Sequence, residues 1–351
     1  MTAYFYDLTF EQLEAQLAEW GQPRYRAGQV WQAVYHDLTA APEAITTIPA
    51  ALRQKLADEY SFSHLLPKVE AQSSDGQTRK YLFELPDRRQ IESVLMGYVT
   101  RRTACISTQA GCAMGCVFCA TGQMGFRRHL TAGEIVEQVI WFARQLKGRD
   151  DRLTNLVVMG MGEPFHNYDA TMAAVDTLND PRGYNFGARR MTISTVGLAP
   201  MIERFALEKR QVNLAVSLHA ATDELREELL PINRKYPLAV LFAAIHRYFE
   251  ETRRRVTFEW ALIAGKNDMP EQARALGALA KGLPCHVNII PLNPTRDYTG
   301  RATTRERVSD FRDALEREGL SCTIRVRRGI DINAGCGQLA IMDAPARPAP
   351  A

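Results

Sequence analysis

Three of the seven cysteines in this 351-residue chain crowd into one short segment, Gly111-Cys112-Ala113-Met114-Gly115-Cys116-Val117-Phe118-Cys119. Thiolates at Cys112, Cys116 and Cys119 can converge from a single tight loop, since the glycines permit sharp turns. A [4Fe-4S] cluster takes four ligands, so three cysteines leave one iron open to a small molecule. Structural zinc is the alternative chemistry. It wants four closed ligands, often as two C-x2-C pairs, and only one such pair is present, so His129 or Cys336 would have to complete the set. An odd cysteine count with this crowding is a poor disulfide framework.

A second constellation is Gly160-Met161-Gly162-Glu163, which follows a strand-like run. Ligands bind at the carboxyl ends of parallel strands, where glycines allow close backbone approach and Glu163 offers a carboxylate to an ammonium group. Of the remaining cysteines, Cys285 and Cys322 read as small core hydrophobes. Cys336 differs, because Gly335 and Gly337 flank it and imply an exposed, mobile backbone unsuited to core packing.

The elements that must position these groups follow a clear rhythm. Three short helices are expected near Thr9–Trp20, Tyr25–His36 and Ala50–Tyr60, bounded by Gly21-Gln22-Pro23 and Pro49. Three strand-like runs follow, near Val69–Gln72, Arg79–Leu85 and Gln90–Met96, separated by the turn sequences Ser74-Asp75-Gly76 and Pro86-Asp87. From Ala104 strands alternate with helices, near Ala104–Thr108, Asn155–Gly160, Met191–Thr195, Val212–Leu218, Thr257–Ile263, His286–Pro291 and Cys322–Val326. That alternation predicts a parallel sheet covered by helices, open or closed as a barrel. The clearest helix starts at Thr131, which with Glu134 forms a capping-box pair ahead of Ile135, Val139, Phe142, Ala143 and Leu146 on one face. The expected organisation is a helical accessory domain over 1–65, a β-meander linker over 66–97, the α/β core over 98–340 and a disordered tail over 341–351.

Hydrophobic residues make up 46% of the chain and charged ones 24%, ordinary soluble values, and no apolar run nears the roughly 20 residues that span a bilayer. The N-terminus lacks a basic region followed by an apolar one, which predicts a cytoplasmic protein with reduced thiols and no membrane partner. A net charge of +3 is too small to identify a nucleic-acid binder, so local basic runs carry more weight: Arg127-Arg128-His129, Arg189-Arg190, Arg253-Arg254-Arg255, and Arg325 with Arg327-Arg328.

The spacing C-x3-C-x2-C after the first strand of such a core resembles the radical S-adenosylmethionine (SAM) superfamily. More narrowly, CISTQAGCAMGCVFCATGQMGFRRHL from Cys105 resembles the RlmN/Cfr class of RNA methyltransferases. So do MGMGEPFHNY from Met159, SLHAATDE from Ser217, PINRKYPL from Pro231, NIIPLNP from Asn288 and RRGIDINAGCGQL from Arg327. The chain departs from that pattern at His129, where the class usually has Asn, and at Gly335, where it usually has a second alanine.

The resemblance implies a partial (β/α)6 barrel, one [4Fe-4S] cluster on Cys112, Cys116 and Cys119, and two SAM molecules per turnover. It implies SAM contacts at Gly162, Glu163, Ser194, Ser217, Leu218, His219 and Asn293. Cys336 would carry the methyl group, Cys105 would resolve the product through a transient disulfide with it, and Glu92 would accept a proton. The implied reaction is methylation of adenine C2 in 23S rRNA, at the peptidyl-transferase centre, and in tRNA, 3′ of the anticodon. An electron donor such as a flavodoxin system and a monomeric state are implied with it. Methylation at C8, or an RNA-binding iron–sulfur protein without turnover, are the alternatives. A binding module has no need of a carrier thiol.

Overall fold

The computed structural model describes residues 2–340, so the tail expected over 341–351 lies outside them. Its centre is one sheet whose strands follow one another in space as they do in sequence. Strands β1 (Leu66–Gln72), β2 (Thr78–Glu84) and β3 (Gln90–Gly97) form an antiparallel meander. Strand β3 then pairs antiparallel with β4 (Arg102–Cys105). From there β5 (Asn155–Val158), β6 (Met191–Thr195), β7 (Asn213–Ser217), β8 (Val256–Leu262), β9 (Cys285–Pro291) and β10 (Ser321–Ile324) add one by one, every pair parallel. Helix-bearing crossovers join consecutive parallel strands, the architecture of a partial (β/α)6 barrel. The central strands are apolar on both faces, as at Leu214-Ala215-Val216, which are fully buried.

The meander is therefore an extension of the core sheet, more than a linker beside it. Its outer strand β1 is an edge, mostly exposed, carrying Lys68 and Glu70 and a register shift between Pro67 and Val69, all of which discourage further pairing. The first barrel strand is shorter than its apolar run suggests. After Cys105 the regular ladder ends in an irregular stretch in which Ile106 still donates to the Val157 carbonyl and accepts from the Gly160 N–H, and Ser107 is held by side-chain bonds: its Oγ donates to the Glu92 carbonyl at 2.6 Å and accepts from the Met161 N–H at 2.8 Å.

The N-terminal helices are α1 (Phe10–Glu19), α2 (Tyr25–Trp31) and α3 (Ala50–Glu59). The second continues into a π-helical turn over Gln32–His36, which leaves Val34 and Tyr35 fully buried. This module sits on helix α4 (Ala132–Lys147), whose capping box of Thr131 and Glu134 forms as expected. Contacts between them are polar and specific. Arg144 donates to Tyr6 Oη and to the Leu38 and Thr39 carbonyls, and Lys147 donates to the Asp37 carbonyl.

The buried Glu137 is the centre of that interface. Its carboxylate accepts from Tyr4 Oη, from Ser63 Oγ at 2.9 Å, and from the backbone N–H groups of His64 and Leu65 at 2.9 and 3.0 Å. Glu137→Ala would strand these donors, and each unsatisfied buried group costs about 1–3 kcal/mol. We expect a loss of about 3 kcal/mol or more in thermal or denaturant unfolding, with protease cleavage first appearing in residues 60–66. Unchanged stability would show that the module does not depend on this carboxylate.

Candidate active site

The carboxyl ends of the parallel strands open into one cavity. Cys112, Cys116 and Cys119 line it from the loop that follows β4. Cys105, the last residue of β4, lines it too, and so does Cys336, from a loop more than two hundred positions away in sequence. Gly162, Glu163, Ser194, Ser217, His219 and Asn293 complete the set of expected contacts on its wall. Leu218, the remaining expected contact, is not among the lining residues; its side chain is fully buried in the main hydrophobic core.

Burial pushes all three loop thiols up, Cys112 to about 12. Among the described residues no three His, Cys, Asp or Glu side chains converge closely enough to share a single metal ion. Three thiols from one loop on one cavity wall are a donor set that would suit a [4Fe-4S] cluster, with each bonding a different iron. Of the two candidate fourth zinc ligands considered from the sequence, Cys336 lines this cavity and His129 does not. His129 packs at 4.9 Å, ring centroid to centroid, against His166, and its Nδ1 lies 3.0 Å from Gln109 Nε2.

The Gly160–Glu163 turn serves the protein as much as any ligand. A Cβ on Gly160 would meet the Ile106 carbonyl at 2.6 Å, and one on Gly162, at φ +102°, would meet Gln109 at 2.5 Å. These glycines let the turn pack on the loop after β4. Glu163 lies behind them with its Oε1 accepting from the Phe165 N–H at 3.0 Å and its Oε2 from the Val196 N–H at 2.7 Å. Burial pushes its carboxyl up to about 7 in spite of these bonds, so a cationic partner at the cavity would be favoured there.

Two buried polar groups set the strand ends. His219, at φ +60°, accepts from the Ala261 N–H through Nδ1 at 2.8 Å, which leaves the ring proton on Nε2. Burial, and then the Arg226 charge, lower its pKa to about 3, so it stays neutral. Arg226 is fully buried and donates to the carbonyls of Val196 and Leu218 and to Asn233 Oδ1, stitching the ends of β6 and β7 together. The sequence gives no sign of this role beyond the PINR run that supplies Asn233.

Cys336 is exposed, but its loop is buried on either side at Ala334, Gly335, Gln338 and Leu339 and is not loose, contrary to the mobility its glycines suggest. Asn293 Nδ2 donates to the Cys336 carbonyl at 3.1 Å, the Ala120 N–H to the Gly337 carbonyl at 2.8 Å, and Gln338 bonds Gly335 and Pro294. All seven cysteines are free thiols, so the disulfide expected between Cys105 and Cys336 is not a feature of this structure. Burial pushes Cys105 up to about 12; for Cys336, desolvation by the surrounding cavity wall, although the residue keeps an exposed face, and then the Glu259 charge push the thiol up to about 11, while the nearby Arg325 guanidinium pulls both down.

Glu92 is buried on β3, off the cavity wall. Its Oε1 pairs with Lys80 Nζ at 2.8 Å and its Oε2 accepts from the Ala340 N–H at 2.9 Å. The basic runs separate in the same way. Arg128 is consumed by Glu134 and Asp87, and Arg254 by Gln211 and Asn213. Arg325, Arg327 and Arg328, by contrast, stand at the cavity, where Arg328 and Arg101 stack on Tyr98 at 4.5 and 4.1 Å. Tyr98 and Glu259 are wall residues that pattern reading misses, because each is isolated in sequence from the motifs, whereas Arg325 shows in the sequence only as a member of a basic run.

Residues 106–276 match the Radical SAM superfamily, and residues 4–61 match the ribosomal RNA large subunit methyltransferase N-terminal domain. The probable dual-specificity RNA methyltransferase RlmN of Roseiflexus castenholzii is 47% identical over 379 residues, covering 95% of each chain. The dual-specificity RNA methyltransferase RlmN 1 of Myxococcus xanthus is 49% identical over 338 residues, covering 96% of this chain and 94% of its own. A crystal structure of a radical SAM methyltransferase from Sphaerobacter thermophilus superposes with a TM-score of 0.94 at 51% identity, over 96% of this chain and 99% of that one. With a cavity that holds three loop cysteines and two remote ones, and relatives this similar along nearly the whole length, the chain belongs to the RlmN family of radical SAM RNA methyltransferases.

Proposed function

We infer that the protein methylates C2 of adenine in RNA, in 23S rRNA and in tRNA, through a methyl group carried on Cys336. The observation that carries this reading is the presence of Cys336 and Cys105 on the wall that also bears Cys112, Cys116 and Cys119. A [4Fe-4S] cluster on the three loop thiols, with SAM, supplies a methyl donor and a hydrogen-abstracting radical. Adenine C2 is an electron-poor sp2 carbon that does not attack a sulfonium methyl by displacement, so a carrier thiol and a radical step are both needed.

The chain's own residues divide the remaining work. Cys336 accepts the methyl group as a thiolate, a state that desolvation and the Glu259 charge oppose and the Arg325 charge favours. After the carbon joins the base, the adduct must lose one electron to an acceptor and its C2 proton to give a thioether. The Cys105 thiolate then attacks the Cys336 sulfur, the carbon–sulfur bond breaks, the freed methylene carbon takes up a proton to become the methyl group, and a Cys105–Cys336 disulfide is left for a reductant to open. Glu92 takes the ring proton, which requires its bond to the Ala340 N–H to open. Arg325, Arg327 and Arg328 meet the RNA backbone at the mouth, with Tyr98 as a stacking face. Among the described residues no helix is long and apolar enough to cross a membrane.

Mass analysis of adenine in rRNA and tRNA, from cells with and without the gene, tests the reading. 2-Methyladenine should disappear with the gene, and 8-methyladenine in its place would refute the C2 assignment. Glu163 provides a second test. Glu163→Gln removes the charge offered to the SAM ammonium but keeps the side chain's size, so SAM affinity should fall about tenfold while iron content stays near wild type. Unchanged SAM affinity would refute that contact.

A further inference from the structure

Gln109 is fully buried beneath the Gly160–Glu163 turn and is not on the cavity wall. Its Oε1 accepts from the Glu163 N–H at 2.9 Å. Its Nε2 lies 3.0 Å from His129 Nδ1 and 3.1 Å from His166 Nδ1. The backbone holds it there, since the Gln109 N–H donates to the Met161 carbonyl at 3.1 Å and Gln109 is in register with His129 in a short antiparallel pair. One side chain thus joins the turn that bears Glu163 to two exposed histidines.

The tautomers follow from the bonding. An amide has one accepting end and one donating end, and the Glu163 N–H can only donate, so Oε1 must face it. Nε2 then directs its two hydrogens at the two imidazoles, and each Nδ1 must present a lone pair. Both rings are therefore neutral, with the proton on Nε2. They stand 4.9 Å apart, ring centroid to centroid, with Phe126 against His129 at 5.0 Å and His166 at 5.6 Å.

A proton added to either Nδ1 would face an amide hydrogen. Turning the amide over would satisfy the imidazolium but set Nε2 against the Glu163 N–H, donor to donor, so neither orientation serves both sides. The charged neighbours do not offset this. Arg127 and Arg128 precede His129, and Arg128 donates to the His129 carbonyl at 2.9 Å while it is held by Glu134 and Asp87. Glu163 precedes the helical turn Pro164–Asn167 that carries His166, and its carboxylate is bonded to the Phe165 and Val196 N–H groups. Burial, and then the nearby His166, keep His129 below the usual imidazole range.

We propose that Gln109 is a positioning residue that sets the Gly162–Glu163 turn for SAM, and that its hold requires His129 and His166 to be neutral, so that SAM binding weakens when either ring takes up a proton. This rests on the reading that Glu163 meets SAM.

The test uses the cluster-reconstituted protein and S-adenosylhomocysteine, which carries the same amino group and does not turn over. Its affinity is measured between about pH 7.5 and about pH 5.5, across the ordinary imidazole range. The comparison is with the double variant His129→Asn and His166→Asn. Asn places Oδ1 where the imidazole has Nδ1, so it accepts from Gln109 at every pH. Wild type should lose about tenfold more affinity than the double variant over this interval, the loss of about one hydrogen bond. The Glu163 carboxyl, at about 7, titrates in both proteins, so the difference isolates the histidines. Gln109→Ala should bind about tenfold more weakly at neutral pH, with iron content and melting temperature reporting its folding. Identical pH profiles in wild type and the double variant overturn the coupling, and unchanged affinity in a folded Gln109→Ala overturns the positioning role. If Glu163→Gln leaves the affinity unchanged, the reading of Glu163 fails and the proposal with it. If Glu163→Gln weakens binding while the two profiles coincide, only the proposal fails.

Discussion

Cys336→Ala should yield neither methylated protein nor methylated RNA, a loss of at least about 10³-fold, as for removal of a covalent nucleophile. Cys105→Ala should fail later. It still charges Cys336 and joins the carbon to adenine, but without its thiol it cannot release the product. RNA linked covalently through Cys336 should therefore accumulate in Cys105→Ala and be absent from Cys336→Ala and from the double variant. Mass spectrometry after nuclease and protease digestion locates the adduct. Normal RNA methylation by Cys336→Ala would end the carrier mechanism, and an inactive Cys105→Ala without adduct would remove only the resolving role. Both residues line one cavity although one closes β4 and the other sits in the last described loop, and the mechanism needs that proximity.

The second large effect concerns the loop thiols. Replacing Cys112, Cys116 and Cys119 by Ala should abolish the iron–sulfur charge-transfer absorbance of the anaerobically reconstituted protein and all RNA methylation with it. Cys285→Ala and Cys322→Ala are the controls. Cys285 is buried in the main core and Cys322 packs against it, so their loss should cost about 1 kcal/mol of stability and no iron. Stoichiometric zinc without iron in the reconstituted wild type would contradict the assignment.

The comparison with the sequence shows which features local pattern can carry. Helix α4 and its capping box are readable because Thr131, Glu134 and the apolar stripe lie within one stretch of chain. The parallel strands are readable because burial on both faces forces continuous apolar runs. The three-cysteine loop is local as well. What pattern cannot carry is convergence: nothing in the spacing of Cys105 and Cys336 places them on one wall, and only resemblance paired them.

Isolated residues are missed for the same reason. Glu259 looks like one acidic residue in an apolar strand, and Arg325 like one member of a basic run, until the sheet places them 3.9 Å apart. Charge runs mislead in the opposite direction, since Arg128 stands in a basic triplet yet is held by Glu134 and Asp87. Glycines are ambiguous too. Gly160 and Gly162 answer to Ile106 and Gln109, and the Cys336 loop is pinned by Asn293, Ala120 and Gln338, where sequence suggested ligand approach and mobility.

The most direct test of a methyl group carried on Cys336 is to supply SAM whose methyl carries three deuterium atoms and to weigh the methylated adenine. Abstraction of one hydrogen atom from the Cys336 methyl group, followed by transfer of the remaining carbon, predicts a product methyl that retains two deuterium atoms, with the third recovered in 5′-deoxyadenosine. A product that retains all three would mean that the methyl group moved intact, and would contradict the account.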